Sequence, residues 1–374
     1  MKGRQIVLDK MMFPASKPGE PDVDCEVAAL FEEGRLVDLL VDDPDQIPVG
    51  TIYRAVADRP VKGQGGMFLK TPDGNAFLRQ VKGLAPGDTM LVQLTGTPEP
   101  GKALPVTTKI LFKGRYAIVT PGAPGMNISR SIKDDDLRDE LQGIAHEVFA
   151  GHPAAEAGAG LILRSACAEV ELEEIAEAIA AEIAEMADLA AQVMADDGRE
   201  AELLVDGPSA HELALRDWER GEILDQRDQR NKTESLLEMI GGFDQLEEEF
   251  RGRTPLAGGG HLFVEATRGV VSVDVNTGGD NSPAAGFKAN LAAVRELPRQ
   301  LRVRGLGGII YLDLAPMGKK DRRQFESALT AAFRKDQVET VMAGWTPLGN
   351  FELQRKRARA PQDAIIRRML EGGR

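Results

Sequence analysis

Two short apolar runs in the last third of the chain each end at or near an aspartate. VVSVDVNT (270–277) carries Asp274, and GGIIYLDLA (307–315) carries Asp313. Between them lies FKANLAAVRELPRQLRVR (287–304), with apolar residues at helical spacing and Pro298 as an expected kink or break. HLFVEATRGVVSVDVNT reads as a β-hairpin turning at Thr267-Arg268-Gly269, and KKDRRQFESALTAAFRKD after the second run reads as a basic helix. Strand, helix, strand, helix in that order indicates an α/β layer. If the two strands are neighbours, the carboxylates of Asp274 and Asp313 converge at one sheet edge. Hard carboxylate oxygens paired in that way suit Mg²⁺, which binds through one or two carboxylates plus waters and phosphate. Asn276 follows Asp274 by two residues, so it shares its face and can orient a water or a phosphate oxygen. By spacing alone, strand-end aspartates serve equally well as caps or turn residues.

Composition narrows the class. The 374 residues exceed one ordinary core, and the four histidines (His146, His152, His211, His261) have no metal-ligand spacing. Cys25 and Cys167 are far apart with no C-x-x-C pair, so no zinc site is expected and a reducing, cytoplasmic location is. No run approaches the roughly 18 apolar residues of a membrane span. The N-terminal MKGRQIVLDKMMFP lacks a secretory pattern, so neither membrane nor export is expected. The net charge of −13 argues at first against a polyanion partner. The charge is uneven, however: 288–374 holds 18 basic and 9 acidic residues, leaving 28 basic and 50 acidic elsewhere. That asymmetry is compatible with a basic rim around the two aspartates and equally with a solvated surface.

Upstream, residues 1–47 read as strands and turns, with EEGR turning a hairpin, and 48–115 as short strands of a small barrel. GLILRSA (160–166) reads as a strand. Residues 168–197 read as an acidic amphipathic helix with Ile175, Ile179, Ile183 and Met186 on its apolar face. LLVD (203–206) suggests a further strand and 225–250 a charged helix.

The run from GGHLFVEATRGVVSVDVNTGG through FKANLAAVRELPRQLRVRGLGGIIYLDLAPM to GNFELQRKR resembles the catalytic core of the ribonuclease E / ribonuclease G family over about 90 residues. The resemblance implies an α+β multidomain protein. An OB-fold RNA-binding barrel (36–108) would be inserted in a discontinuous RNase H-like subdomain (1–35 and 200–249). A 5′-phosphate sensor region (109–199) and a DNase I-like α/β catalytic subdomain (250–374) complete it. It makes Asp274 and Asp313 the ligands of Mg²⁺ (or Mn²⁺) and Asn276 the supporting catalytic residue. It places Phe68 and Phe77 as base-stacking aromatics, with Lys102 as a basic contact and Arg130 as an added phosphate contact. Gly114 and Ile118 would shape a sensor for a 5′-monophosphate end held by Arg164 and Ser165, where the family usually has threonine in place of the serine. The implied activity is cleavage of single-stranded RNA, favouring 5′-monophosphorylated ends, in ribosomal or messenger RNA processing or decay.

The chain departs from the family in three places. Asp313-Leu314-Ala315-Pro316-Met317 lacks the family's second aspartate. Thr346-Pro347-Leu348-Gly349 lacks its arginine before the glycine, leaving Arg355 and Arg357 as candidate sources of that charge. The cysteine motif that links subunits through zinc does not occur, so any homodimer is expected to form without it. An RNA-binding relative that no longer cuts is the competing reading.

Overall fold

The computed structural model describes residues 3–13, 22–61, 65–80, 83–99, 101–228 and 235–372. By its contacts the chain divides into two compact units: residues 1–47, 209–211 and 221–374, and residues 48–208 and 212–220.

In the first unit, β1 (Arg4–Phe13), β2 (Val23–Glu32) and β3 (Arg35–Val41) form an antiparallel meander, with the predicted turn at Glu33-Gly34. Their inward residues, among them Val7, Val27, Phe31 and Leu39, are fully buried and seed one core.

The second unit contains the barrel. β4 (Ile52–Val61), β5 (Gly66–Thr71), β6 (Gly74–Leu78), β7 (Thr89–Leu94) and β8 (Leu104–Thr107) follow the order β4-β5-β6-β8-β7. Pairing of β4 with β7 closes the ring and leaves no free edge within it. A mixed sheet follows, built from β9 (Phe112–Lys113), β10 (Ala117–Thr120), β11 (Gly125–Ile128) and β12 (Gly160–Leu163) in the order β11-β12-β10-β9. Helix α1 (Asp135–Phe149) starts where the Asp134 carboxylate accepts a hydrogen bond from the Leu137 amide. A short helix, α2 (Pro153–Glu156), leads towards β12. The expected acidic helix is α3 (Leu172–Met194), which buries Ile175, Ile179 and Ile183 against the sheet. β13 (Glu202–Val205) pairs with β4, as the LLVD run suggested.

The chain passes through α4 (Ala210–Asp217) and returns as β14 (Glu222–Asp225), parallel to β1. The helical reading of 225–250 holds for most of its described residues but not at its start. Its first residue belongs to a strand stabilised by a partner more than 200 residues away, which no local pattern reveals. Residues 229–234 of that reading lie outside the described residues. The rest folds as α5 (Leu236–Met239) and α6 (Gly242–Phe250).

The last sheet carries the candidate site. β15 (Arg253–Pro255), β16 (His261–Ala266), β17 (Val270–Asn276), β18 (Gly308–Asp313), β19 (Thr340–Trp345) and β20 (Phe351–Arg355) follow the order β15-β16-β17-β18-β20-β19. β16 and β17 form the expected hairpin, turned where the Thr267 amide donates to the Val270 carbonyl. β17 and β18 are parallel and are joined through α7 (Ala285–Val303). This helix runs through Pro298 without the expected break. Proline removes one backbone donor, but flanking Leu297 and Leu301 are 2% and 1% exposed and hold the helix against the core. α8 (Lys319–Arg334) packs beside α7, and α9 (Asp363–Gly372) ends the described chain. Alternation along the strands sends Leu262, Val264, Val273, Ile310, Leu312 and Leu353 into the core shared with the two helices. Burying each such side chain contributes roughly 1.5–3 kcal/mol, enough to fix the register.

Candidate active site

Register decides which side chains meet. In the β17–β18 pair, Val273 lies opposite Leu312 and Asp274 opposite Asp313. Neighbouring strands lie roughly 4.8 Å apart, and paired residues share a face. Because Val273, Val275 and Leu312 point into the core, the two aspartates stand on the other face, where both are exposed. Two positions 39 residues apart in sequence are thus immediate neighbours on an accessible sheet surface. Asn276 lies on the same face, and its Nδ2 donates to Asp274 Oδ2 at 2.8 Å. That contact orients one carboxylate oxygen and leaves the other accessible. Nearby, Glu352 accepts a hydrogen bond from Tyr311, and this bond together with the carboxylate's charge raises the phenol above its ordinary pKa.

Among the described residues no three His, Cys, Asp or Glu side chains gather as a ready cage. Two hard carboxylates with an amide beside them fit an ion that keeps much of its own water, which describes Mg²⁺ better than Zn²⁺.

The strand that supplies Asp313 is pinned from behind. Asn290 on α7 is fully buried; its Nδ2 donates to the Ala315 carbonyl at 2.8 Å, and its Oδ1 accepts from the Ala315 amide at 3.0 Å. One turn earlier, a Cβ on Gly286 would lie 2.0 Å from the Pro316 carbonyl oxygen. Glycine at 286 therefore lets α7 touch the segment leaving β18. Both residues lie in the helix between the aspartates. The sequence signal for them was an asparagine at a buried helical position, which only a partner can satisfy.

Arg355 is buried and ion-paired rather than exposed as a free cation. Its side chain is 1% exposed and is paired to Asp336, which is fully buried, at 3.3 Å. It also donates to the Leu306 carbonyl and to Thr340 Oγ1. Burial lowers its pKa, and Asp336 offsets that only in part. Strand alternation explains the placement, since Arg355 faces the same side as Phe351 and Leu353. Arg357 lies over Gly308, with Nη1 3.5 Å from the Gly307 carbonyl. At Thr346–Gly349, Leu348 is 93% exposed, and the Arg322 guanidinium lies 4.2 Å from the Trp345 ring centroid.

On the barrel, Phe68 and Phe77 pair directly across β5 and β6, with ring centroids 5.4 Å apart. Both are half-buried, and the Arg59 guanidinium lies 5.2 Å above Phe68. The two rings form a tilted aromatic pair with a cation over one of them. Arg59 was not singled out in the sequence, because its cross-strand position depends on the irregular register of β4 against β5. Lys102 is exposed and paired with Glu99. Arg130 is exposed in the turn after β11.

The four sensor candidates lie around the β9–β10 turn and the end of β12. Arg164 Nη1 donates to the Gly114 carbonyl at 2.5 Å, Ile118 sits opposite Ile162 on β12, and exposed Ser165 opens a short 3₁₀ turn. Arg164 is not a bare fork, because Nη2 is 2.8 Å from Asp217. Burial alone would raise the Asp217 carboxyl, yet hydrogen bonds and charge from Arg216 and Arg164 hold it below its ordinary value. The turn itself is held by Glu182 of α3, whose carboxylate accepts from the amides of Arg115, Tyr116 and Ala117 at 2.6–2.8 Å. A Cβ at Gly114 would lie 2.2 Å from that carboxyl carbon, so glycine makes the contact possible.

The Ribonuclease E/G family matches residues 112–239 and 222–358. Ribonuclease G of Escherichia coli strain K12 is 29% identical over 313 residues, covering 75% of this chain and 62% of that protein. Ribonuclease E of Synechocystis sp. PCC 6803 is 26% identical over 380 residues, covering 89% of this chain and 55% of that protein. Ribonuclease E of Escherichia coli K12 is 30% identical over 308 residues, covering 73% of this chain and 28% of that protein. The chain thus spans less than two thirds of the length of these relatives. With a closed five-stranded barrel and a family match over most of the chain, this protein belongs to the ribonuclease E/G family.

Proposed function

We propose that the chain is an endoribonuclease that hydrolyses phosphodiester bonds in single-stranded RNA, using one Mg²⁺ or Mn²⁺ held by Asp274 and Asp313. The observation that carries this reading is their direct pairing on the exposed face of a parallel strand pair, with Asn276 bonded to Asp274. Bound there, such an ion polarises the phosphoryl group and lowers the pKa of a water. Asp274 and Asp313 supply the negative charge that localises it, and Asn276 fixes the orientation of the Asp274 carboxylate. Addition of the water oxygen to phosphorus with departure of the 3′ oxygen, which takes up a proton, leaves a 3′-hydroxyl and a 5′-phosphate. Phe68 and Phe77 offer the stacking surface for unpaired bases, with Lys102 and Arg130 as exposed cations for the backbone. The physiological setting would be processing or decay of ribosomal or messenger RNA.

The finer reading, a preference for 5′-monophosphorylated ends, rests on Arg164, Ser165, Gly114 and Ile118. An incoming terminal phosphate would share Arg164 with Asp217. Asp217→Asn should therefore sharpen discrimination between 5′-monophosphate and 5′-hydroxyl oligonucleotides. An unchanged ratio in that variant and in Arg164→Ala removes the sensor role.

Asp274→Asn and Asp313→Asn should each abolish cleavage of a labelled oligonucleotide in Mg²⁺, as EDTA should with the unaltered chain, while RNA still binds. Full turnover in both variants would remove the mechanism. The absence of an arginine ahead of Gly349 and the burial of Arg355 favour a second reading, a non-cleaving RNA binder. RNA binding with no cleavage in Mg²⁺ or Mn²⁺ would establish it.

A further inference from the structure

The sheet register continues the carboxylate pair in the other direction. Asp313 pairs with Asp274, Asp274 with Phe263 on β16, and Phe263 with Arg253 on β15. These four side chains form one row across four strands, roughly 14 Å long at roughly 4.8 Å per step. Alternation puts them all on the exposed face, since Leu262, Val264 and Thr254 take the buried positions. Arg253 is exposed and Phe263 half-exposed. The Phe263 ring is held edge-on by His261, with centroids 5.3 Å apart at 89°. Arg253 Nη2 approaches His261 Nδ1 at 3.5 Å, and among the described residues no carboxylate pairs with Arg253. A phenylalanine on the open side of a strand gains little from packing there. A guanidinium without a carboxylate partner stands beyond it.

We propose that Phe263 and Arg253 form a nucleotide subsite beside the carboxylate pair, with Phe263 stacking the base next to the scissile phosphate and Arg253 contacting the following phosphate. This rests on reading Asp274 and Asp313 as the cleavage centre. The row runs in the sequence acid, acid, aromatic, cation, which matches phosphate, base, phosphate along a single strand once an ion covers the two acids. Every base has a face to stack, so the subsite favours unpaired over duplex RNA without selecting a sequence.

The test is equilibrium binding, by fluorescence anisotropy with Ca²⁺ in place of Mg²⁺ and on RNA verified to stay uncut, of a short fluorescent single-stranded RNA and of the same RNA carrying one abasic position moved along its length. Phe263→Leu keeps apolar volume on the strand and removes the stacking face. Circular dichroism and the thermal midpoint check that it folds. The unaltered chain should lose about 5- to 100-fold in affinity at one abasic position, the range expected for one stacked base. Phe263→Leu should bind the intact RNA that weakly and be insensitive to that position, and Phe263→Trp should restore the pattern. Arg253→Ala should reduce the slope of log affinity against log salt by about 0.7. The subsite is overturned if Phe263→Leu binds intact RNA as the unaltered chain does, or keeps the same abasic penalty. It is equally overturned if the unaltered chain binds no RNA. Cleavage in Mg²⁺ without the Phe263-dependent pattern overturns the subsite alone. The pattern without cleavage overturns the nuclease reading and leaves Phe263 and Arg253 as an RNA-binding subsite with no scissile phosphate beside it.

Discussion

Asn290 shows how a residue remote from any substrate can govern the site. Its amide satisfies both backbone groups of Ala315, two residues past Asp313, in a fully buried position. Asn290→Ala leaves a buried N–H and a buried C=O without partners, at a cost of about 2 kcal/mol. Urea denaturation should show that loss, and cleavage should fall about 10- to 100-fold at temperatures where the variant remains folded, as Asp313 drifts. Arg355→Ala should instead behave as a stability variant. Removing it leaves the buried Asp336 with Arg302, at 3.0 Å, as its remaining cation beside the Val338 amide, and should cost about 3 kcal/mol. Its residual folded fraction should cleave at the normal rate. A catalytic arginine would give the opposite pattern, with stability kept and turnover lost.

At the scale of elements, the two aspartate-bearing strands, the helix between them, the barrel and α3 were legible because each carries its own period of apolar residues. What the sequence could not reveal was pairing. β14 takes its stability from β1, and Arg59 lies over Phe68 and Arg253 pairs with Phe263 only through strand register. Helix α7 shows the same limit. Glu296 and Arg299 read as surface charges on a helix, yet they are 8% and 5% exposed, and Arg299 is paired both with Glu296 and with Glu249 of α6. Burial alone would raise the Glu296 carboxyl, but hydrogen bonding and charge from Arg299, with further help from Gln300 and Arg35, hold it below its ordinary value. A depressed folded pKa contributes stability that is present above the unfolded value, about 4.3, and is lost as pH falls through the lower folded value. Thermal midpoints measured from pH 7 to pH 3 should therefore fall steeply at the acid end. Glu296→Gln should flatten that fall while lowering the midpoint at neutral pH.

At the scale of the whole molecule, a chain of net charge −13 is proposed to hold a polyanion. The balance is local: 18 basic against 9 acidic residues from 288 onward, on the segment that carries most of α7, the Asp313 strand, α8 and α9. Affinity for single-stranded RNA should accordingly fall linearly in log–log form with salt, by about 0.7 per phosphate neutralised. A flat response would show that the basic segment does not face the RNA. The family was legible from motifs, while the side on which the aspartates stand was decided by the apolar residues between them, Val273, Val275 and Leu312. The most direct test of the central claim is a Mn²⁺ titration followed by electron paramagnetic resonance. The unaltered chain should take up one ion, and Asp274→Asn and Asp313→Asn should each lose it. Uptake of the same ion with the same affinity by both variants would contradict the assignment.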